Sequence, residues 1–190
     1  VSNFECRILR KDGSSFWSST NELGIRDKNG AISHYQGFIT DISEHRQKEL
    51  YQQARLRLLQ LADKASLHEL LVATIDEAEN LTGSKLGFMH FLEEDQQTIS
   101  LQAFSTRTSS EMCNVKDINN RYLVDDAGVW VDCIRKRAPV IHNNYANLPH
   151  RQGLPQGHAP VIRELVVPVF RGDQIVAMLG VGNKTEFYNE

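Results

Sequence analysis

The sequence predicts an α+β chain: a small antiparallel sheet, a long polar helix, then a larger antiparallel sheet flanked by helices. Three observations predict it. Strand-length stretches alternate apolar and polar residues between glycine-bearing turns, the stretch from 43 to 66 contains neither Gly nor Pro, and the remaining two thirds alternates capped helical segments with apolar strands.

The first element, FECRILR, sets Phe4, Cys6 and Ile8 against Glu5 and Arg7, the period of a half-buried strand. KDGS at 11–14 is a hairpin turn, with a glycine where positive φ is needed. SFWSSTNELGIRD returns, DKNG at 27–30 turns again, and AISHYQGFITDI is a third strand. About 40 residues of this kind lack a second layer and bury no core of their own, so further chain is expected before Val1. The absence of an initiator Met agrees with a fragment of a longer protein.

Residues 43–66 are rich in strong helix formers. Leu50, Ala54, Leu58, Leu61 and Ala65 mark a narrow apolar stripe along the helix, and Ser43 is placed to cap it. Two readings stay open for the stripe: packing on a neighbouring element, or pairing with a second copy of the same helix. Beyond it, Ser66-Leu-His-Glu69 is a capping box and Gly83 a left-handed stop, which bounds a helix. LGFMHFLEE and TISLQAFS follow as two strands joined by a polar turn. After an irregular stretch from 106 to 124, Asp125 or Asp126 is expected to cap a short helix, AGVWVDCIRKR, with Trp130, Cys133 and Ile134 on one face. APVIHN is a strand, and ELVVPVF and QIVAMLGVGN form a closing hairpin around RGD. A sheet of about five strands with helices on one side is expected.

Composition excludes several function classes. The 190 residues are 41% hydrophobic with a net charge of −3, and no run of five Lys or Arg offers a footprint for nucleic acid or an anionic membrane. No apolar run approaches the roughly 20 residues of a membrane span, and VSNFECRILR is not a secretory leader. Three scattered cysteines, Cys6, Cys113 and Cys133, suit a reducing compartment, and the cytoplasm is the expected location.

The order RKDGSSFW through YQGFITDISEHRQKE resembles the C-terminal half of a PAS domain. Asp41-Ile42-Ser43 stands at that family's junction motif between last strand and output helix, with Ser in place of Thr. AGVWVDCIRKRAPVIHNNYANLP, GLPQGHAPVIRELVVPVFRG and IVAMLGVGNK resemble a GAF domain, of the type found in bacterial sensor histidine kinases and in diguanylate cyclase or phosphodiesterase proteins. The resemblances imply an incomplete PAS domain at 1–42, a signalling helix at 43–65 with Asp41 and Ser43 as its junction, and a GAF domain at 66–190 that can continue past Glu190. They imply a non-catalytic sensor of two-component or cyclic-di-nucleotide signalling that binds a small cytoplasmic ligand, forms a homodimer, and passes its state to an output domain elsewhere in the full-length chain. Asn183-Lys184 with Phe187 and Glu190 is similar, at compressed spacing, to the signature of cyclic-nucleotide-binding GAF domains, and that activity is not carried over.

The GAF resemblance places 126–137 and 143–163 over one face of the sheet. Phe88, Phe104, Trp130 and Val140 then line a pocket, and His142, Tyr145, His158, Arg163 and Glu164 supply polar groups, with Arg163 suited to a carboxylate or phosphate. The aromatic residues have a competing role as plain core, and Arg163 and Glu164 as a pair across a loop. His158, between Gly157 and Pro160, is the leading single candidate. Cys113 and Cys133 complete the set. Cys113 is the thiol that a redox enzyme like free methionine sulfoxide reductase would use, while Cys133 fits a buried, inert position. A structural spacer without ligand is the third reading. Donors Cys113, Cys133, His142, His150 and His158 lack the close pairs of a zinc site, and no cysteine sits beside a histidine as bilin attachment requires. No metal, haem or bilin is expected, and the cofactor stays unnamed.

Overall fold

The computed structural model describes residues 3–112, 121–149, 151 and 160–189. It divides into two compact units, Val1–Arg55 and Leu56–Glu190.

In the first unit β1 (Phe4–Leu9), β2 (Ser15–Arg26) and β3 (Ile32–Asp41) form an antiparallel sheet in that order. Asp12 closes the first turn by accepting the Ser14 N–H and hydroxyl at 2.9 and 2.6 Å, and Gly13 takes φ +84°. Asp27 accepts the N–H groups of Asn29 and Ala31 in the second, where Gly30 also takes φ +84°. Every residue of β3 is exposed.

Helix α1 (Ser43–Ala62) starts on Ser43 itself. Its hydroxyl does not cap the helix; it accepts the N–H of Trp17 at 2.9 Å. Asp41 accepts the Ser43 N–H at 3.0 Å and a guanidinium N–H of Arg10 at 2.8 Å. Those bonds, the Ser43 N–H foremost, hold the Asp41 carboxyl below its ordinary pKa. Arg46 stacks 3.9 Å over the Trp17 ring and reaches Glu5 at 3.1 Å. The junction is therefore a cross-braced corner.

In the second unit the late part of α1 is tied to α2 (Leu67–Thr82) by Arg57, which donates twice to Glu77 at 2.6 and 2.9 Å. Of the predicted stripe, Leu58 and Leu61 are half-buried and Leu50 is exposed. The capping box of Ser66 and Glu69 and the left-handed Gly83, at φ +70°, bound α2 as its sequence dictates.

The strands β4 (Leu86–Leu92), β5 (Thr98–Phe104), β6 (Arg121–Leu123), β7 (Val140–His142), β8 (Glu164–Arg171) and β9 (Gln174–Gly182) form one antiparallel sheet ordered β6-β5-β4-β9-β8-β7. Among the described residues the sheet has six strands rather than about five, because β6 is three residues long and too short to show a period.

The expected helix at 126–137 is broken into 3-10 turns at Val124–Asp126 and Val129–Val131 followed by α3 (Asp132–Lys136). Neither Asp125 nor Asp126 caps it. Gly128 and the β-branched Val129 and Val131 disfavour a continuous α-helix, and Arg137 at φ +52° ends it.

Cover lies on both faces of the sheet, not one. On one, Leu71, Val72 and Ile75 of α2 pack on Met89, Phe91, Ala103 and Leu179. On the other, Val124, Ala127, Val131 and Cys133 pack on Leu92, Ile99, Val166 and Met178. The two-residue period of β4 separates Met89 from its neighbours on the far side.

Candidate functional site

The second face, between the sheet and the 124–136 segment, carries most of the predicted residues. Strand register aligns them. Phe104 pairs with Phe88, Phe88 with Gly180, Gly180 with Val166 and Val166 with Val140. The next row runs Leu86, Gly182, Glu164 and His142. Gly180 is required here: a Cβ at that position would overlap the Phe88 ring.

One step along β4 lies His90, 6% exposed and set edge-on to Phe88 with ring centroids 5.6 Å apart. Its Nε2 meets the Tyr122 hydroxyl at 2.7 Å. Burial drives the His90 pKa down to about 3 and the Tyr122 pKa up to about 12, so both rings are neutral at physiological pH. His90 Nδ1 and the Nε1 of Trp130 are both buried without a hydrogen-bond partner among the described residues. Buried polar atoms are rarely left so, since each forfeits about 1–3 kcal/mol.

A second polar cluster closes the β7-β8 end. His142 Nδ1 lies 2.9 Å from the Glu164 carboxylate, and its Nε2 lies 3.5 Å from Asp132, which takes Arg135 at 3.1 Å. Burial raises the Glu164 pKa, His142 opposes that, and Asp132 adds to it. Tyr145, 3% exposed, has no hydrogen-bond partner for its hydroxyl among the described residues, and burial with the nearby Glu164 pushes its pKa up to about 12.

Other predicted residues find different surroundings. Arg163 does not pair with Glu164; it donates to the carbonyls of Lys184 and Thr185 at 3.0 and 2.6 Å and stacks over Phe187. Cys133 is fully buried in the core with its thiol pKa up at about 12, chiefly from burial, which leaves no thiolate for chemistry at neutral pH. Phe104 is half-buried beside Phe88. His158, His150 and Cys113 lie outside the described residues. Asn183 uses its amide to accept from Ile162 and donate to Pro160, and Tyr188 is held by Ser84 and by paired bonds to Asn143, so the C-terminal segment is stitched to the sheet. No group of three or more His, Cys, Asp or Glu side chains among the described residues is placed to hold a metal ion.

Sequence reasoning missed His90, Tyr122, Asp132 and Arg135. His90 had a signal: in LGFMHFL it shares the period-two face of Phe88 and Leu92. A separate surface groove of about 630 Å³, lined by residues including Phe91, Glu93, Arg121 and Arg171, contains none of the predicted residues.

A six-stranded antiparallel sheet with a helix on one face and looped cover over the other defines an α+β domain of the GAF type. The chain belongs to the GAF domain family, whose match spans residues 64–190. It is 39% identical over 157 residues to the methyl sulfide methyltransferase-associated sensor of Methanosarcina acetivorans, an alignment covering 79% of this chain and 16% of that protein. It is 42% identical over 62 residues to the bacterioopsin transcriptional activator of Halobacterium salinarum, covering 32% of the chain and 9% of the relative. The chain thus spans a small part of either curated relative.

Among solved structures, the GAF domain of a phosphoenolpyruvate-protein phosphotransferase from Coxiella burnetii superposes with a TM-score of 0.61 at 13% identity, covering 76% of this chain and 83% of that one. Free methionine-R-sulfoxide reductase from Neisseria meningitidis gives 0.53 at 15% identity, covering 73% of each chain. At these identities the likeness is one of fold. A GAF domain with a sensor among its relatives points to a sensory, regulatory role.

Proposed function

We propose that this chain is a PAS-GAF segment of a signal-transduction protein, in which the GAF domain binds a small cytoplasmic ligand between its sheet and the 124–145 segment. The ligand state would pass through the helix at 43–65 to an output domain elsewhere in the full-length chain, a histidine kinase or diguanylate cyclase in the expected setting. The observation that carries the reading is the aligned face of Phe88, His90, Tyr122 and Trp130, where buried polar atoms find no partner among the described residues beside an apolar wall.

The sensor relative supports the extent of the assignment, because its alignment covers more of the chain than the GAF match alone supplies. The sheet of β1 to β3 supports the PAS half: its exposed β3 carries Tyr35, Phe38 and Ile39, which suit a covering layer. Exposed Leu56 and Leu59 on α1 support a homodimer through the helix. No described helix is long and apolar enough to cross a membrane, and neither a membrane nor nucleic acid is proposed as a partner. Asp41 and Ser43 act as the junction, since their bonds to Arg10 and Trp17 make the helix start sensitive to the sheet. Signalling then follows from differential affinity of the ligand for two packings of the helix.

Native mass spectrometry of the protein isolated from its own cytoplasm tests the reading. A small mass that is retained natively and lost on denaturation is expected. A clean apo mass under both conditions overturns the ligand and leaves a structural relay.

A further inference from the structure

Helix α1 has two faces of different character. Ala54 is buried, and Leu58 and Leu61, with Ala65 just beyond the helix, are half-buried, which makes one stripe the inward one. On the other side Glu49, Gln52, Leu56, Leu59 and Asp63 follow one another at alternating spacings of three and four residues, and all five are exposed, Leu56 at 56% and Leu59 at 58%. That alternation is the seam of a two-helix pair, where each position packs against a facing helix. Asp63 stands in the turn after the helix, and Arg55 flanks the seam beside Leu56. Neither the Arg55 nor the Asp63 side chain has an ion-pair or hydrogen-bond partner among the described residues.

The direction of a second copy on this seam is decided by charge. Parallel copies in register set Glu49 against Glu49 and Asp63 against Asp63, so acid faces acid at both ends of the two leucines. An antiparallel copy, turned about a two-fold axis between Leu56 and Leu59, removes both clashes. Each Leu56 then meets Leu59 of the second copy, Gln52 meets Asp63, and Arg55 comes alongside the same Asp63. Glu49 passes beyond the end of the facing helix.

We infer that the homodimer forms through antiparallel pairing of the outward faces of α1, with Arg55 of each copy against Asp63 of the other. The inference rests on the homodimer of the preceding reading and adds its direction. A two-fold interface requires a patch that complements itself, and a cation and an anion on either side of two leucines meet that requirement. Both charges gain the partner that they lack within one chain.

Sedimentation equilibrium of the whole chain tests this. Arg55→Asp and Asp63→Arg are each expected to weaken the homodimer about fivefold or more, since each turns two attractive pairs repulsive. The double variant is expected to restore it to within about twofold, because the swap rebuilds both pairs with their signs exchanged. Leu59→Glu is expected to leave a monomer. A homodimer that Leu59→Glu dissociates, but whose single swaps have no effect or whose double swap brings no rescue, overturns the antiparallel direction and leaves pairing through the helix standing. A wild-type monomer, or a homodimer that tolerates Leu59→Glu, overturns both.

Discussion

Every residue of β3 in the three-stranded sheet is exposed, with Phe38 at 79%, whereas in the six-stranded sheet Ile99, Ala103 and Val166 are fully buried. Both sheets are antiparallel and both turn on glycines with positive φ, Gly13 and Gly30 in the first and Gly172 in the second. The difference is the second layer. The larger sheet receives α2 on one face and the 124–136 segment on the other, contributed by long connections, while the smaller has only tight hairpins between its strands. Alternation and turn chemistry specify a strand; a core needs a connection long enough to fold back over it.

The comparison breaks most directly at Ile75, the fully buried residue of α2 that lies against Gly87. Ile75→Ala should cost about 2–5 kcal/mol, read as a lower urea midpoint for the GAF unit. An unchanged midpoint would mean that α2 does not seal that face.

Next in size is the acid response of the second face. The His90 pKa, about 3 in the fold, lies below its ordinary 6.5, so the unfolded chain binds the proton better. The contribution is complete above pH 6.5 and is lost as pH falls toward 3. Glu79 and Glu164, raised by burial above 4.5, run oppositely: their contribution is present at low pH and lost as pH rises through their folded values. Comparing wild type with His90→Gln isolates the histidine. At about 1.4 kcal/mol per pH unit, the wild type should lose about 2–3 kcal/mol more than the variant between pH 6.5 and about pH 4.5. Parallel acid curves would show that His90 is not held neutral.

Smaller again is the junction of the first unit. Ser43→Ala removes the acceptor of the Trp17 N–H and should cost about 1 kcal/mol, with faster hydrogen exchange at that amide as the readout. Slow exchange in the variant would show that the hydroxyl does not brace the corner. Phe38→Ser should change stability by less than about 0.5 kcal/mol, measured by the same unfolding titration, because Phe38 gives up little buried area. A large loss there would mean that β3 is covered in solution, and it would sharpen the case for a layer contributed from elsewhere.

Much of the fold was legible because its signals are local. Asp12-Gly13 and Gly30 mark turns, Ser66 with Glu69 and Gly83 bound a helix, and the hairpin of β8 and β9 closes at Gly172. The 126–137 helix was misread because a helical spacing of Trp130, Cys133 and Ile134 outweighed Gly128 and the valines around it. Of the candidate site, the sequence supplied Phe88, Trp130, His142 and Glu164 as residue types, but not their partners. His142 meets Glu164 across 22 residues and His90 meets Tyr122 across 32. Arg163 looked like an anion receptor, since a guanidinium reads the same in sequence whether its N–H groups meet a ligand or a carbonyl.

The sequence by itself determined where the chain turns, which residues share a strand face, and the class of domain that its blocks resemble, because dihedral preference and alternation are carried by neighbouring residues. Only the tertiary structure decided that both faces of the large sheet are covered, that Phe88 lies over Gly180, and that His90 meets Tyr122 at the edge of the packed face. Those outcomes depend on the register between strands distant in sequence, and on which long connection reaches which face.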